Sequence, residues 1–368
     1  MAVVYHFLPH YRQGVFDALA SDPEFEVVFI TGHSRPGQEG VLEAEGLAPF
    51  EVRNQWLKGT FLWQRGLLGH LRRERYDAVV FLGNWMWATT WIGALLTRLR
   101  GDAVLFWTHG WTAPESGLQG FLRRRFYRLA DRLLLYGQRA ADIGAGYGWD
   151  RDDLVVIGNS LQLPAADAGI AEWEPDGVAE PALPWVIWIA RLIEEKRPDL
   201  LIDAAALAEQ RGRPFNVVFI GAGPAEDEAL ARAAEVAPGR VRFLGAVHDD
   251  RVLSSIFARG SVTAVPDYGG LSIPHSLVHG VPVVANDVAD ANGPEYEYVR
   301  PGLNGSLFPR DDVAAFTDEL VKWCYDAPLI GAAKERVIAL AREDASPTAN
   351  ARRILDAVSS VLTSPGSP

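Results

Sequence analysis

Six short apolar runs punctuate the first 160 residues: VVYHFL (Val3–Leu8), FEVVFITG (Phe25–Gly32), YDAVVFLG (Tyr76–Gly83), DAVLFWTHG (Asp102–Gly110), DRLLLYG (Asp131–Gly137) and DDLVVIGNS (Asp152–Ser160). Their apolar residues are consecutive rather than alternating, as in strands buried on both faces. Helical patterns lie between them, so the arrangement is a parallel sheet with helices on both sides. The pattern restarts with WVIWIAR (Trp185–Arg191), FNVVFIGAGP (Phe215–Pro224), VRFLG (Val241–Gly245), and strands at Val262–Val265 and Val281–Ala285. Helices are expected near Gly66–Arg75, Trp87–Leu99, Pro198–Gln210, Glu226–Val236, Asp250–Arg259, Val313–Tyr325, Ile330–Arg342 and Pro347–Leu362. The intervening QLPAADAGIAEWEPDGVAEPALP is rich in Pro, Ala and acid without a period, which marks a linker.

The expected fold class is therefore α/β: two Rossmann-like, doubly wound parallel-sheet domains facing a cleft. The expected boundaries are 1–163, a linker at 164–184, a second domain at 185–342, and 343–368 as a C-terminal helix packing back on the first domain, with a short disordered tail. Ligands of such sheets bind beyond the carboxyl ends of the strands.

At 368 residues the chain suits two domains. Its one cysteine, Cys324, excludes an internal disulfide and fits a reducing compartment, and MAVVYHFLPHYRQGVF lacks the pattern of a signal peptide. The apolar window Ala78–Leu96 contains Gly83, Asn84 and two threonines, and reads as strand, loop and buried helix rather than a membrane span. A cytoplasmic protein is expected. The net charge is −12; residues 1–160 carry 17 basic and 17 acidic side chains, and the rest carry 18 and 30. That balance, with no long basic run, argues against nucleic acid as a partner. The Arg123–Arg132 segment places arginines around an apolar stripe of Leu122, Phe126, Leu129 and Leu133; this is either a solvated helix face or a peripheral contact with an anionic membrane.

The richest stretch is Val262–Glu295, VTAVPDYGGLSIPHSLVHGVPVVANDVADANGPE. A strand runs into a glycine loop, a short helix and a second strand. Ser272 reads as the helix N-cap, Pro274 sits in the first turn and Gly280 stops the helix. Such a loop points several backbone N–H groups at one place, which suits phosphate.

From Trp185 to about Trp323 the chain resembles the donor-binding domain of GT-B glycosyltransferases of family 4, the glycosyl transferases group 1 family. The resemblance is carried by WIARLIEEKRPDLLIDA, VVFIGAGPAEDEAL, VRFLGAV, VPDYGGLSIPHSLVHGVPVVAN and GPEYEYVRPGLNGSLFPRDD, in the family's order and spacing. The first half resembles it more loosely, through THG, ADRLLLYG and VVIGNSL, and looks most like a bacterial polysaccharide-assembly branch. The resemblance implies a GT-B fold and a retaining transfer of sugar from a nucleotide diphosphate sugar to a glycan or lipid-linked acceptor. It implies no cofactor, and no His/Asp/Cys cluster in the sequence has metal-ligand spacing.

By the same resemblance Arg191 and Lys196 match the cationic pair on the diphosphate, where Arg suits two-pronged contact and Lys a point charge. Gly269, Gly270, Leu271 and Ser272 would give backbone contacts to it. Gly221 and Gly223 would flank the nucleotide or simply make a tight turn, and Glu295 stands near the donor or caps a helix. Two glutamates are usual in the family where this chain has Asp267, facing the transferred sugar, and His275, facing the ribose. A neutral imidazole is a weaker anchor than a carboxylate. His109 matches a position beside the transferred sugar, or is a histidine satisfied at a strand end. His10, Tyr11 and Arg12 follow the first strand, on the acceptor side. Trp85, Trp87, Trp107 and Trp111 gather at strand ends, for packing or for stacking on sugar, and Asn159 and Ser160 end the last strand of the first domain. The alternatives are a nucleotide-sugar-binding protein that has lost transfer, and a nucleotide-sugar epimerase on the same fold.

Overall fold

Apolar strands too short to stand alone gain their stability from two-sided burial, and here they do so in two separate sheets. The computed structural model describes residues 1–34, 43–161, 173, 177–328 and 330–363. The chain divides into two units, one made of Met1–Gln162 with Ala345–Pro368, the other of Leu163–Asp344. Most of the 164–184 linker and the terminal tail lie outside the described residues.

The first unit contains β1 (Ala2–Val4), β2 (Val28–Thr31), β3 (Phe50–Glu51), β4 (Arg53–Leu57), β5 (Phe61–Arg65), β6 (Ala78–Leu82), β7 (Ala103–Thr108), β8 (Arg132–Leu135) and β9 (Leu154–Val156). Seven of these form one sheet in the order β3-β2-β1-β6-β7-β8-β9, parallel throughout. Every residue of β1 and β7 is buried. Strands β4 and β5 pair as a separate antiparallel hairpin that lies outside the apolar runs of the sequence. Its outward residues Leu57, Phe61 and Trp63 are exposed, so apolar residues occupy both faces and blur the alternation that marks a half-buried strand.

The second unit contains β10 (Trp185–Ile189), β11 (Asn216–Ile220), β12 (Val241–Phe243), β13 (Gly260–Val265), β14 (Val283–Asn286) and β15 (Gly305–Phe308). They run β12-β11-β10-β13-β14-β15, again all parallel. Strand β15 was not anticipated. Helices Pro198–Gln210, Glu226–Val236 and Asp250–Arg259 have the expected limits, while the helix at Val313–Val321 passes into a π-helical turn at Lys322–Asp326. In both units the chain winds outward from a central strand, then returns to that strand's other side. The order reverses between β1 and β6, and between β10 and β13. Those are the two places where connections leave in opposite directions and open a crevice.

Among the described residues no helix is long and apolar enough to cross a membrane. The window at 78–96 resolves into β6 and a helix at Ala88–Leu99.

The helix Pro347–Thr363 belongs to the first unit. Its apolar face, Ala351, Ile354, Leu355, Ala357 and Val358, joins Val3, Phe16, Leu19 and Trp107 in one core. Asn350 secures its start by donating to the carbonyls of Ile157 at 2.9 Å and Gly158 at 2.8 Å. Ile354 is fully buried and Leu362 is 44% exposed. Ile354→Ala should therefore cost about 2–5 kcal/mol through lost burial and the cavity left behind, against under about 0.5 kcal/mol for Leu362→Ala. Urea denaturation of the two variants checks this; equal losses would contradict the packing described.

Candidate functional site

At the reversal point of the second unit, two loops meet: the one leaving β10 and the one leaving β13. The first runs through Arg191 to a single 3-10 turn at Glu194–Lys196. Arg197 follows in the left-handed region (φ 57°, ψ 53°). Its guanidinium is tied to Asp199 at 3.0 Å and to Asp311, and Pro198 then opens the next helix. This turn sends Lys196 towards the second loop, where its ammonium donates to the carbonyl oxygens of Tyr268 and, at 3.4 Å, Gly269. Burial pushes the Lys196 pKa down, while Asp267 and Glu295 pull it up.

The second loop, Asp267–Leu271, has Tyr268 (φ 50°) and Gly270 (φ 78°) in left-handed conformations. At Gly270 a Cβ would meet open space, so the glycine is there for its backbone. The N–H groups of Gly270, Leu271 and Ser272 have no hydrogen-bond partner among the described residues. Ser272 is the first residue of the helix Ser272–Val278 rather than its N-cap, and its hydroxyl donates to the Gly269 carbonyl at 3.1 Å. The expected cap is thus corrected: the hydroxyl points back into the loop and leaves the Ser272 N–H open, while the Ile273 N–H donates to the Gly270 carbonyl at 3.1 Å. Gly280 (φ 73°) follows the helix as expected.

Gly221 and Gly223 work by close approach. A Cβ at Gly221 would lie 1.9 Å from the Ala190 carbonyl oxygen, and one at Gly223 2.0 Å from that of Leu192. The turn after β11 thereby lies against the chain leaving β10, where the Leu192 N–H donates to Ala222 at 3.1 Å and the Ala225 N–H to Leu192 at 3.1 Å. Arg191, in this same segment, is exposed, and its side chain makes no ion pair among the described residues.

Asp267 is buried, and both its hydrogen bonds from Arg310, from Nε at 2.9 Å and Nη2 at 2.5 Å, reach Oδ2. Its Oδ1 accepts from the Tyr268 N–H at 2.9 Å. Arg310 was missed in sequence because it lies 43 residues away; the one local sign is a cation two residues after the end of strand β15. Asp267, Tyr268 and Arg310 line a cavity of about 720 Å³ with Glu194, Glu195 and Arg197. Glu295 is buried beside Gly293, whose own Cβ position lies 3.6 Å from the Gly270 nitrogen. His275 stands apart. Its ring packs on Phe257 and His279, at 5.1 and 5.3 Å between centroids, and does not line that cavity. Burial, with a smaller effect of His279, takes its pKa down to about 3.

The reversal point of the first unit carries a second cavity, of about 420 Å³. Residues at or beyond the carboxyl ends of β1, β6, β7 and β8 line it, among them Arg12, Trp85, Trp107, His109 and Tyr136. Arg12 is buried and donates to Tyr136 Oη at 2.8 Å and Asn159 Oδ1 at 3.0 Å. His109 opens onto the cavity while protein surrounds the rest of its ring, which stands edge-on to Tyr136 at 4.5 Å. Burial, then Arg12, lowers its pKa to about 4, so at neutral pH it is an uncharged imidazole. Tyr11 lines the cavity and His10, though exposed, does not. Trp107 and Trp111 are core residues and Trp87 is nearly so, leaving Trp85 as the half-buried one; Ser160 is buried.

The arginine helix, Gly117–Tyr127, uses most of its neighbourhood's cations inside the fold. Arg123 pairs with Glu115 at 2.7 Å and Arg132 with Asp153 at 2.5 Å. Arg124 and Arg128 lie over the Tyr147 and Trp149 rings at 4.8 and 4.5 Å. Leu118, Phe121 and Leu122 are its exposed apolar residues, so the expected cationic face is largely occupied by internal partners.

Two parallel-sheet α/β units in one chain, each with loops at the carboxyl ends of its strands beside a strand-order reversal, are the architecture of the GT-B glycosyltransferase class. Two family models match in succession, the glycosyl transferase 4-like domain over residues 10–160 and glycosyl transferases group 1 over residues 183–326. Residues 183–326 thus match the glycosyl transferases group 1 family, and with the 4-like match over 10–160 the chain is a glycosyltransferase of the GT-B type. It is 27% identical over 134 residues to the D-rhamnosyltransferase WbpZ of Pseudomonas aeruginosa, a match covering 35% of this chain and 32% of that protein; the chain thus spans about a third of the length of this curated relative. A glycosyltransferase from Rickettsia africae superposes with a TM-score of 0.72 at 12% identity, over 99% of this chain and 98% of that one. HepE of Anabaena in complex with UDP gives 0.69 at 16%, over 98% and 99%. At these identities the structural likeness speaks for the fold.

The imidazole of His275, packed on Phe257 and His279, has a consequence for stability. An unfolded chain's histidine takes a proton near pH 6.5, whereas the folded chain keeps His275 neutral down to about 3. Between those values the unfolded state binds the extra proton, so stability falls as pH drops through that window. His275→Gln should lose about 2 kcal/mol less than the wild type between pH 7 and pH 5. Chemical denaturation at the two pH values checks this, and the same loss in both proteins would contradict it.

Proposed function

We propose that this chain transfers a sugar from a nucleoside diphosphate sugar to a hydroxyl of a glycan or lipid-linked acceptor, with retention at the anomeric carbon, in cell-surface polysaccharide synthesis. The observation that carries the reading is the glycine loop at Asp267–Ser272, with its unpartnered N–H groups and the Lys196 ammonium beside it. Exposed Arg191 on the neighbouring loop adds a second cation. Such a set suits a diphosphate leaving group, whose negative charge grows as the glycosidic bond breaks; donors fixed beforehand stabilise that charge without reorganising. HepE, of the same fold, has been solved with UDP-glucose, and WbpZ is a D-rhamnosyltransferase; both support a nucleotide-sugar donor and a role in glycan assembly.

In this reading the acceptor attacks from the face the diphosphate leaves, and the departing phosphate oxygen helps take the acceptor proton. Asp267, held by Arg310, is an orienting acceptor for a sugar hydroxyl rather than a free base. Stabilisation comes from Arg191, Lys196 and the loop N–H groups, and the reading includes no metal. His275, packed against Phe257, leaves the ribose to other groups. Loss of transfer with binding retained is the competing outcome.

Arg191→Ala should lower release of nucleoside diphosphate from the productive donor by about 100-fold or more, with the circular dichroism spectrum unchanged. Near-normal release by a folded variant would remove Arg191 from the proposed role.

A further inference from the structure

The cavity of the first unit contains a charge that the fold leaves unneutralised. Arg12 is only 5% exposed, yet the side chains that bond to it, Tyr136, Asn159 and Tyr11, are neutral. Its Nη1 is buried with no hydrogen-bond partner among the described residues. No Asp or Glu lines the cavity; the other charged residue there, Arg123, is already paired with Glu115 at 2.7 Å. The Trp107 and Tyr136 rings flank the Arg12 guanidinium, at 5.2 and 5.1 Å from their centroids. A buried cation without an anion is costly, and a fold that retains one holds it for a partner from outside. The surplus is local, since the chain as a whole carries −12. At about 420 Å³ the space falls in the range that small ligands occupy.

We propose that this cavity binds an acceptor bearing an acidic group, a carboxylate or a phosphate on a sugar ring, with the Arg12 guanidinium meeting the anion and Trp85 and Tyr11 flanking the ring. Assigning the ligand as the acceptor rests on the transfer reading above; the anion site itself rests on Arg12 alone. Trp85 is half-buried and Tyr11 is 41% exposed, so both have surface available to a ligand. His109 adds a neutral hydrogen-bonding imidazole and no competing charge.

The test is titration of the full chain, followed by tryptophan fluorescence, with glucuronate, glucose 1-phosphate and glucose. At least one of the two acidic sugars should bind about tenfold or more tightly than glucose, as expected for a hydrogen bond to a charged group. Whichever binds tighter identifies the anion as carboxylate or phosphate. Arg12→Gln should abolish that preference, Arg12→Lys should retain part of it, and Arg191→Ala should leave it unchanged. Glucose binding as well as both acids, or no binding of any of the three, would overturn the proposal. So would acid binding that survives Arg12→Gln and disappears in Arg191→Ala, which would place the anion in the second unit. The comparison among the three sugars uses wild-type protein and stands even if the Arg12 variants do not fold. Acid binding without any transfer by the chain would overturn the transfer reading and leave the anion site in place.

Discussion

Parallel pairing is the constraint from which the rest follows. Strands that all run one way must be joined by crossovers, so every carboxyl end, and every loop leaving one, falls on the same edge of its sheet. Within each unit the chain also reverses its direction of travel across the sheet, and only there do neighbouring loops diverge. The second unit fills that place with the Arg191–Lys196 turn and the glycine loop, the first with the loops carrying Arg12 and Trp85. Glycine makes the packing tight enough: any Cβ at Gly221 or Gly223 would collide with backbone leaving β10.

Charge is handled differently at the two places. In the second unit Lys196 sits between carbonyl oxygens, with Asp267 and Glu295 close enough to raise its pKa against burial, and Asp267 is itself fixed by Arg310. Acids and cations there hold one another and leave the loop N–H groups and Arg191 available. In the first unit aromatic rings surround a lone guanidinium, and the nearby histidine is held neutral. One site is preorganised by compensating charges; the other keeps a charge in reserve.

Much of this was legible in sequence. Consecutive apolar residues identified the parallel strands, and the helix at 198–210 was delimited by Pro198 and the following period. Strand ends ran past their true limits, because Tyr5, Phe7 and Leu8 stay buried after β1 has ended. The hairpin of β4 and β5 escaped because its exposed apolar residues hide the period. The site was legible where function depends on local backbone, as at Gly270, and illegible where it depends on contacts distant in sequence. Nothing near Asp267 in the chain announces Arg310. The spacing that pairs Asp267 with His275 carries no information on where the imidazole turns; Phe257 and His279 decide that.

The central claim is that the second unit holds a nucleoside diphosphate through Arg191, Lys196 and the glycine loop. The most direct measurement is the melting temperature of the full chain against a panel of nucleoside diphosphates and their sugars, since a ligand of the folded state raises it by mass action. The account predicts a clear rise with one nucleotide family, lost in Arg191→Ala. No rise with any of them at concentrations on the order of 1 mM would contradict it.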